Sequence, residues 1–275
     1  MEKVEMKETY LPMIQSNCIG IVQEIDSICR SNSINYSLCG GSVIGAYLFQ
    51  GFIPWDDDID LMMTRKDYDK FVDTFPKQAR KQYRLLNYKT EKIAKVPTLF
   101  SRVEDLHTEV TAEIAGHVRK GHVFVDITVM DNVPSKFAHK IYYLFGSYVY
   151  SKLYKQNGMM PGTGWKKALF SMLPKSTNND TTLKTYARFE NFCRKSSENR
   201  TKYCAELMSA AYSGYLYKRE VFDSYQDIVF ENTKLMIIRD YMDYLHTRYG
   251  DREFTKDVPQ NQRFNSHIIY FIVNE

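Results

Sequence analysis

Four carboxylates, Asp56, Asp57, Asp58 and Asp60, crowd into five positions at the end of the segment CGGSVIGAYLFQGFIPWDDDID, residues 39–60. In an extended chain, side chains two positions apart share a face, so Asp56, Asp58 and Asp60 are expected to point together. Three such carboxylates repel unless a cation neutralises them or a proton is shared. A hard divalent ion meets that need, because Mg²⁺ prefers oxygen ligands and commonly takes carboxylates together with substrate phosphates. The plain alternative is a solvated acidic loop. The apolar neighbours Trp55, Ile59, Leu61, Met62 and Met63 weigh against it. An EF-hand is excluded, since counting from Asp56 puts Leu61 where that loop requires Gly and Asp67 where it takes Glu.

Two further groups belong to the same chemistry. Gly40-Gly41-Ser42 reads as a tight turn into a short helix, where glycine lets a phosphate approach and the helix N-terminus offers N–H groups and positive dipole. Alone the triplet is no more than a turn; ahead of a DxD strand it gains meaning. Asp126, in HVFVDITVMD, is an acidic residue inside an apolar strand and is costly there unless paired or metal-bound. Carboxylates from two strands can hold two metal ions about 4 Å apart, the clamp of phosphoryl and nucleotidyl transfer. The alternative for Asp126 is a strand-end residue capping a turn.

The elements that must position these groups follow from periodicity. Ile14, Cys18, Ile21, Ile25 and Ile28 are spaced 4, 3, 4, 3 and predict an amphipathic helix over 11–30. A short strand is expected at 36–39. Ser42 is expected to cap a helix running to about Gln50 and closed by Gly51. Strands are expected at 58–63, 82–88, 97–103 and 121–130, and helices at 66–75, 136–156, 181–197 and 237–249. Residues 157–180 are rich in Gly, Pro, Asn and Thr and read as a linker or mobile loop. The expected fold is α/β (α+β), with a catalytic α/β core over about 11–135 and a mostly helical part over 136–275, in one domain spanning 1–275.

Composition sets the class. The chain has 275 residues, 44% of them hydrophobic, which excludes a disordered chain. Its formal charge of +4 is too slight to indicate a nucleic-acid partner. No apolar run approaches the roughly 18–20 residues that span a bilayer, and the first ten residues lack a signal-peptide core. The five cysteines are odd in number and form no CxxC pair, so buried reduced thiols are expected rather than disulfides or zinc. Together these point to the cytoplasm. Residues 137–175 interleave aromatics with lysines, a composition suited either to peripheral contact with the inner membrane face or to an ordinary helical core with a charged face.

The run GGSVIGAYLFQGFIPWDDDID closely resembles the signature of the LicD family, whose members transfer phosphocholine from CDP-choline to cell-surface glycans; the fukutin-type ribitol-phosphate transferases share this module. FVDITVMD looks like the family's third-carboxylate strand, and YLHTRYGDREF with PQNQRFNSH like its C-terminal signature. The resemblance implies a nucleotidyltransferase-like fold, with Asp58, Asp60 and Asp126 as catalytic carboxylates around divalent metal and Asp56 in support. Mg²⁺ or Mn²⁺ is implied, as two ions. It also implies donor contacts from Gly40, Gly41, Ser42, Arg102, Arg263 and His267. For Arg102 the alternative is a salt bridge with Glu104 or Asp105. Where the family commonly carries a basic pair, this chain has Leu48, Phe49 and Gln50.

The expected activity is therefore a metal-dependent transfer of a phospho-alcohol, phosphocholine first, from a CDP-linked donor to a glycan or lipid-linked glycan, with CMP released. A DxD glycosyltransferase using a nucleotide-sugar and an inactive membrane-associated adaptor stand as alternatives.

Overall fold

The computed structural model describes residues 6–90, 101–114, 117–156, 179–208, 214–259, 263 and 268–273. The chain divides into two compact units. One comprises Met1–Leu85, Arg102–Ile127 and Val221–Glu275, and the other Leu86–Ser101 and Thr128–Glu220.

The first unit is built on helix α1 (Met6–Ser31), whose expected stripe of Ile14, Cys18, Ile21, Ile25 and Ile28 is buried throughout. The helix begins earlier than its apolar pattern indicates and carries Pro12 inside it. Strand β1 (Ser37–Leu38) pairs antiparallel with β2 (Asp60–Thr64), setting Leu38 opposite Leu61. Between them lies α2 (Gly40–Phe49). After β2, Thr64 caps α3 (Arg65–Gln78) by accepting from the Asp67 N–H. Strands β3 (Tyr83–Leu86), β4 (Ser101–Ile114) and β5 (His117–Val133) follow, giving the neighbour order β1-β2-β5-β4-β10, with β3 also on β4. Strand β10 (Ile268–Val273) runs antiparallel to β4.

The alternation that betrayed β5 puts Val123, Val125, Ile127 and Val129 in the core, all at most 1% exposed. Each such side chain contributes about 1.5–3 kcal/mol when fully buried. The hairpin of β8 (Tyr225–Phe230) and β9 (Thr233–Ile238) ties onto β1, where the Ile238 N–H donates to Ser37 Oγ at 3.0 Å and the Met236 N–H to Tyr36 Oη at 3.1 Å.

In the second unit, α4 (Lys136–Gln156) packs on α5 (Asn179–Ser197). Val133, Tyr142, Val149, Tyr186, Phe189, Cys193 and Leu207 form its core. Strand β6 (Tyr203–Ala205) pairs with the end of β5 and with β7 (Tyr217–Lys218). Glu190, itself buried, is held by Tyr88, by Lys89 at 2.9 Å and by Arg194 at 3.1 Å.

Several expectations are corrected here. The C-terminal half is not mostly helical; among its described residues it holds five strands, β6 to β10, as well as helices. The segment expected as one helix over 237–249 ends β9 at Ile238 and starts the last helix, α6, only at Tyr241 (Tyr241–Tyr249). Strand β2 starts at Asp60, two residues after the expected start at Asp58. The linker assigned to 157–180 lies almost wholly outside the described residues. The architecture is a mixed α/β fold with six α-helices among the described residues. All five cysteines are buried and none is disulfide-bonded.

Candidate metal and phosphate site

The site is assembled by the first unit alone. Gly40-Gly41-Ser42 is the first turn of α2 itself, and not a separate turn ahead of it. The preceding Cys39 occupies the cap position without a capping side chain. Ser42 therefore does not cap the helix. Its hydroxyl instead accepts from the Asp60 N–H at 2.9 Å, and the Cys39 N–H donates to the Asp60 carbonyl at 2.8 Å. These two bonds fasten the start of β2 to the start of α2. Gly40 has φ +55°, a left-handed conformation that favours glycine. A Cβ at Gly40 would lie 3.4 Å from Asp60 Oδ2, and one at Gly41 3.2 Å from Asp56 Oδ2. Both carboxylates thus sit against the helix N-terminus, where the backbone dipole favours negative charge.

The acidic loop departs from the expected alternation. Because β2 begins only at Asp60, residues 56–59 are not a strand and the two-residue rule does not govern them. The Asp56 N–H turns back to the Ile53 carbonyl at 2.9 Å, and Gln15 Nε2 donates to the Asp56 carbonyl at 2.8 Å. Asp56, Asp57 and Asp58 each place a carboxylate oxygen within 4.8 Å of the others. Asp57, which the alternation would have pointed away, is a member of this trio and is buried. Asp60 and Asp126 stand outside it.

Asp126 reaches the same neighbourhood by strand pairing. Its N–H donates to the carbonyl of Ile59 at 3.2 Å, between Asp58 and Asp60. Its carboxylate is gripped by both arms of the Arg102 guanidinium, Nε–Oδ1 at 2.7 Å and Nη2–Oδ2 at 3.0 Å. Arg102 also lies 3.4 Å from the centre of the Phe124 ring. Neither expected partner of Arg102 holds it; Glu104 pairs with Arg84 at 2.8 Å.

The electrostatics record how close these charges are. Burial, and then the charges of Asp60, Asp56, Asp57 and Asp126, push the Asp58 carboxyl well above the usual range. Despite burial, Asp126, Glu104 and Asp60 raise the pKa of Arg102. Beneath the loop, Cys18 Sγ sits 3.7 Å from the carbonyls of Asp57 and Phe124. Burial and the nearby aspartates keep this thiol protonated.

The C-terminal residues of the first unit close the surroundings. Tyr244 Oη accepts from the Gly40 N–H at 3.1 Å, and a Cβ at Gly40 would also meet Tyr249 Oη at 3.8 Å and Arg248 Nη2 at 3.9 Å. Arg263 stacks its guanidinium 4.6 Å from the Trp55 ring centre, and the Lys256 ammonium stands 5.5 Å from that of Phe49. Phe49 and Trp55 meet edge to face at 6.3 Å. Lys256 and Arg263, far along the chain, thus bring positive charge beside Phe49 and Trp55. His267 lies outside the described residues.

Sequence reasoning missed Asp57, Tyr244, Arg248 and Lys256. Asp57 had a signal in its place within the DDD run. Tyr244 and Arg248 carried only their position on an amphipathic helix, and Lys256 none.

The residues fit a hard divalent cation. Three carboxylates converge within 4.8 Å, oxygen being the donor such ions take, and Asp58 carries an electrostatic penalty that a cation would relieve.

The nucleotidyltransferase-like character of this part of the chain is carried by a family match. Residues 33–144 match the family model described as the LicD/FKTN/FKRP nucleotidyltransferase domain. Over 271 residues the chain is 28% identical to the lipopolysaccharide cholinephosphotransferase LicD of Haemophilus influenzae, covering 96% of this chain and 98% of that protein. A solved structure of a GTP pyrophosphokinase family protein from Streptococcus pneumoniae is similar at 12% identity over 68% of this chain and 89% of that one, with a TM-score of 0.23, too slight to carry an argument.

Proposed function

We propose that this protein transfers a phospho-alcohol, phosphocholine first, from a CDP-linked donor to a hydroxyl of a cell-surface glycan such as lipopolysaccharide, teichoic acid or capsule, releasing CMP. The observation that carries the reading is the end-to-end similarity to a lipopolysaccharide cholinephosphotransferase, in a chain whose acidic trio lies at the start of α2.

Asp56, Asp57 and Asp58 would hold the first cation, with Asp60 and Asp126 beside them; Mg²⁺ or Mn²⁺ is the fitting ion. A bound divalent ion supplies positive charge against the donor diphosphate and the departing CMP. The chain's own residues do the rest. The first turn of α2, at Gly41, faces the donor phosphates with its backbone dipole. The Gly40 N–H is already taken by Tyr244 and the Ser42 N–H by the Cys39 carbonyl, so Gly41 is the donor that the role falls to. Arg102 fixes the orientation of Asp126 through two bonds, and Asp126 takes the proton of the acceptor hydroxyl. Arg263 and Lys256 add positive charge for the diphosphate. A positioned base of this kind contributes about 10²–10⁴-fold.

The test is product analysis. Purified protein is incubated with Mg²⁺, a glycan acceptor and, in turn, CDP-choline, CDP-glycerol, CDP-ribitol and UDP-sugars. Release of CMP with a phosphodiester on the glycan is expected. A glycosidic product from a UDP-sugar, or no turnover with any CDP donor, overturns the reading.

A further inference from the structure

Helix α4 carries apolar side chains on two faces. Tyr142 and Val149 face α5, buried in the core of the second unit. A second set, Phe137, Ile141, Leu144 and Tyr148, follows the spacing 4, 3, 4 and so forms its own stripe along the helix. This stripe is turned to solvent, with Phe137 73% and Leu144 68% exposed. Phe192 of α5, 36% exposed, lies against Tyr142 on the core side of the helix at 4.5 Å. Large apolar side chains exposed in a row mark an interaction surface.

The charge of the surrounding sequence says what kind. Between Asp131 and Asp180 there is no Asp or Glu, while lysines occur at 136, 140, 152, 155, 166, 167 and 175. These seven of the 37 basic residues leave 30 against 33 acidic ones elsewhere, so the remainder of the chain is net −3 and this stretch is +7. A second copy of the chain would set one lysine-rich stretch against another. Among the described residues no helix is long and apolar enough to cross a membrane. An exposed apolar stripe flanked by lysines, on a helix that cannot span, is the pattern of a helix lying in the plane of an anionic bilayer.

We propose that α4 is a membrane-surface helix, seating Phe137, Ile141, Leu144 and Tyr148 at the acyl boundary and its lysines among anionic phospholipid headgroups. This does not depend on the transfer reaction. The test is co-sedimentation of the full chain with vesicles of phosphatidylglycerol and phosphatidylcholine in equal parts, and with phosphatidylcholine vesicles alone. Binding to the first only, weakening with added salt, is expected. The double variant Phe137→Ser/Leu144→Ser is expected to bind about tenfold more weakly or worse, since it takes the two most exposed apolar side chains off the stripe. Lys136→Glu/Lys140→Glu, at two exposed positions, is expected to weaken binding about tenfold as well. Circular dichroism should leave both variants folded, and if the first fails to fold the second decides. Equal binding to neutral vesicles, no binding at all, or binding that survives both variants overturns the proposal. So does sedimentation showing self-association that the Phe137→Ser/Leu144→Ser variant abolishes.

Discussion

Gly41 is the residue where the site has least room. A methyl group there would come within 3.2 Å of Asp56 Oδ2, tighter than ordinary contact. Gly41→Ala is expected to displace Asp56, lowering kcat/KM for a CDP donor about tenfold or more while Tm changes by only a few degrees; steady-state kinetics beside a thermal melt separates the two. Arg102 tests a different link. Only a guanidinium can hold both oxygens of Asp126 at once, so Arg102→Lys should depress kcat more than KM, and a variant with wild-type kcat would remove Arg102 from the positioning role. At this scale the sequence was legible in kind and not in geometry. The density of aspartates at 56–60 announced an acidic site. Which three oxygens converge depended on where β2 begins, and the hydroxyl of Ser42 and the N–H of Cys39 decide that through bonds to Asp60 that no spacing rule reports.

The elements show the same division between periodic and punctuating signals. Helices α1, α3, α4 and α5 were readable because each repeats an apolar stripe over several turns. The hairpin β8–β9 was not, since its turn at Glu231-Asn232 lacks glycine and Glu231 itself adopts φ +53°. The end of α2 is a related case. Gly51 looked like the residue that stops the helix, yet the left-handed conformation falls on Gln50, with φ +58°. A non-glycine residue there costs roughly 1–2 kcal/mol. The Gln50 carbonyl accepts from the Glu231 N–H at 2.7 Å, a backbone bond that any residue at position 50 keeps. Gln50→Gly is therefore expected to stabilise the protein by about 1 kcal/mol, raising Tm by about 2–4 °C. A lower denaturation midpoint in urea would show that the Gln50 side chain contributes more than its backbone strain costs.

For the molecule as a whole, the acidic site sets stability against chemistry. The folded state raises the Asp58 pKa, so it binds that proton more tightly than the unfolded chain. The sign follows: stability is lost as pH rises from the ordinary carboxylate range through the raised value, and that loss is the strain of ionising Asp58 among its acidic neighbours. A divalent cation that binds only the folded state removes that strain and adds stability by mass action. Two opposite expectations result from one substitution. In the presence of chelator, Asp58→Asn should melt above the wild type, by about 2–4 °C for each 1 kcal/mol of repulsion relieved. On addition of Mg²⁺ or Mn²⁺, the wild type should gain several degrees and the variant little, while transfer to the glycan is lost in the variant. Na⁺ at matched ionic strength separates ligation from screening, because screening would raise both proteins alike. If the variant melts below the wild type without metal, Asp58 is paired by some group of the fold and the cluster is an ordinary structural network. If it melts above and still responds to metal, the ion is held without Asp58, and the trio at the start of α2 is not its site.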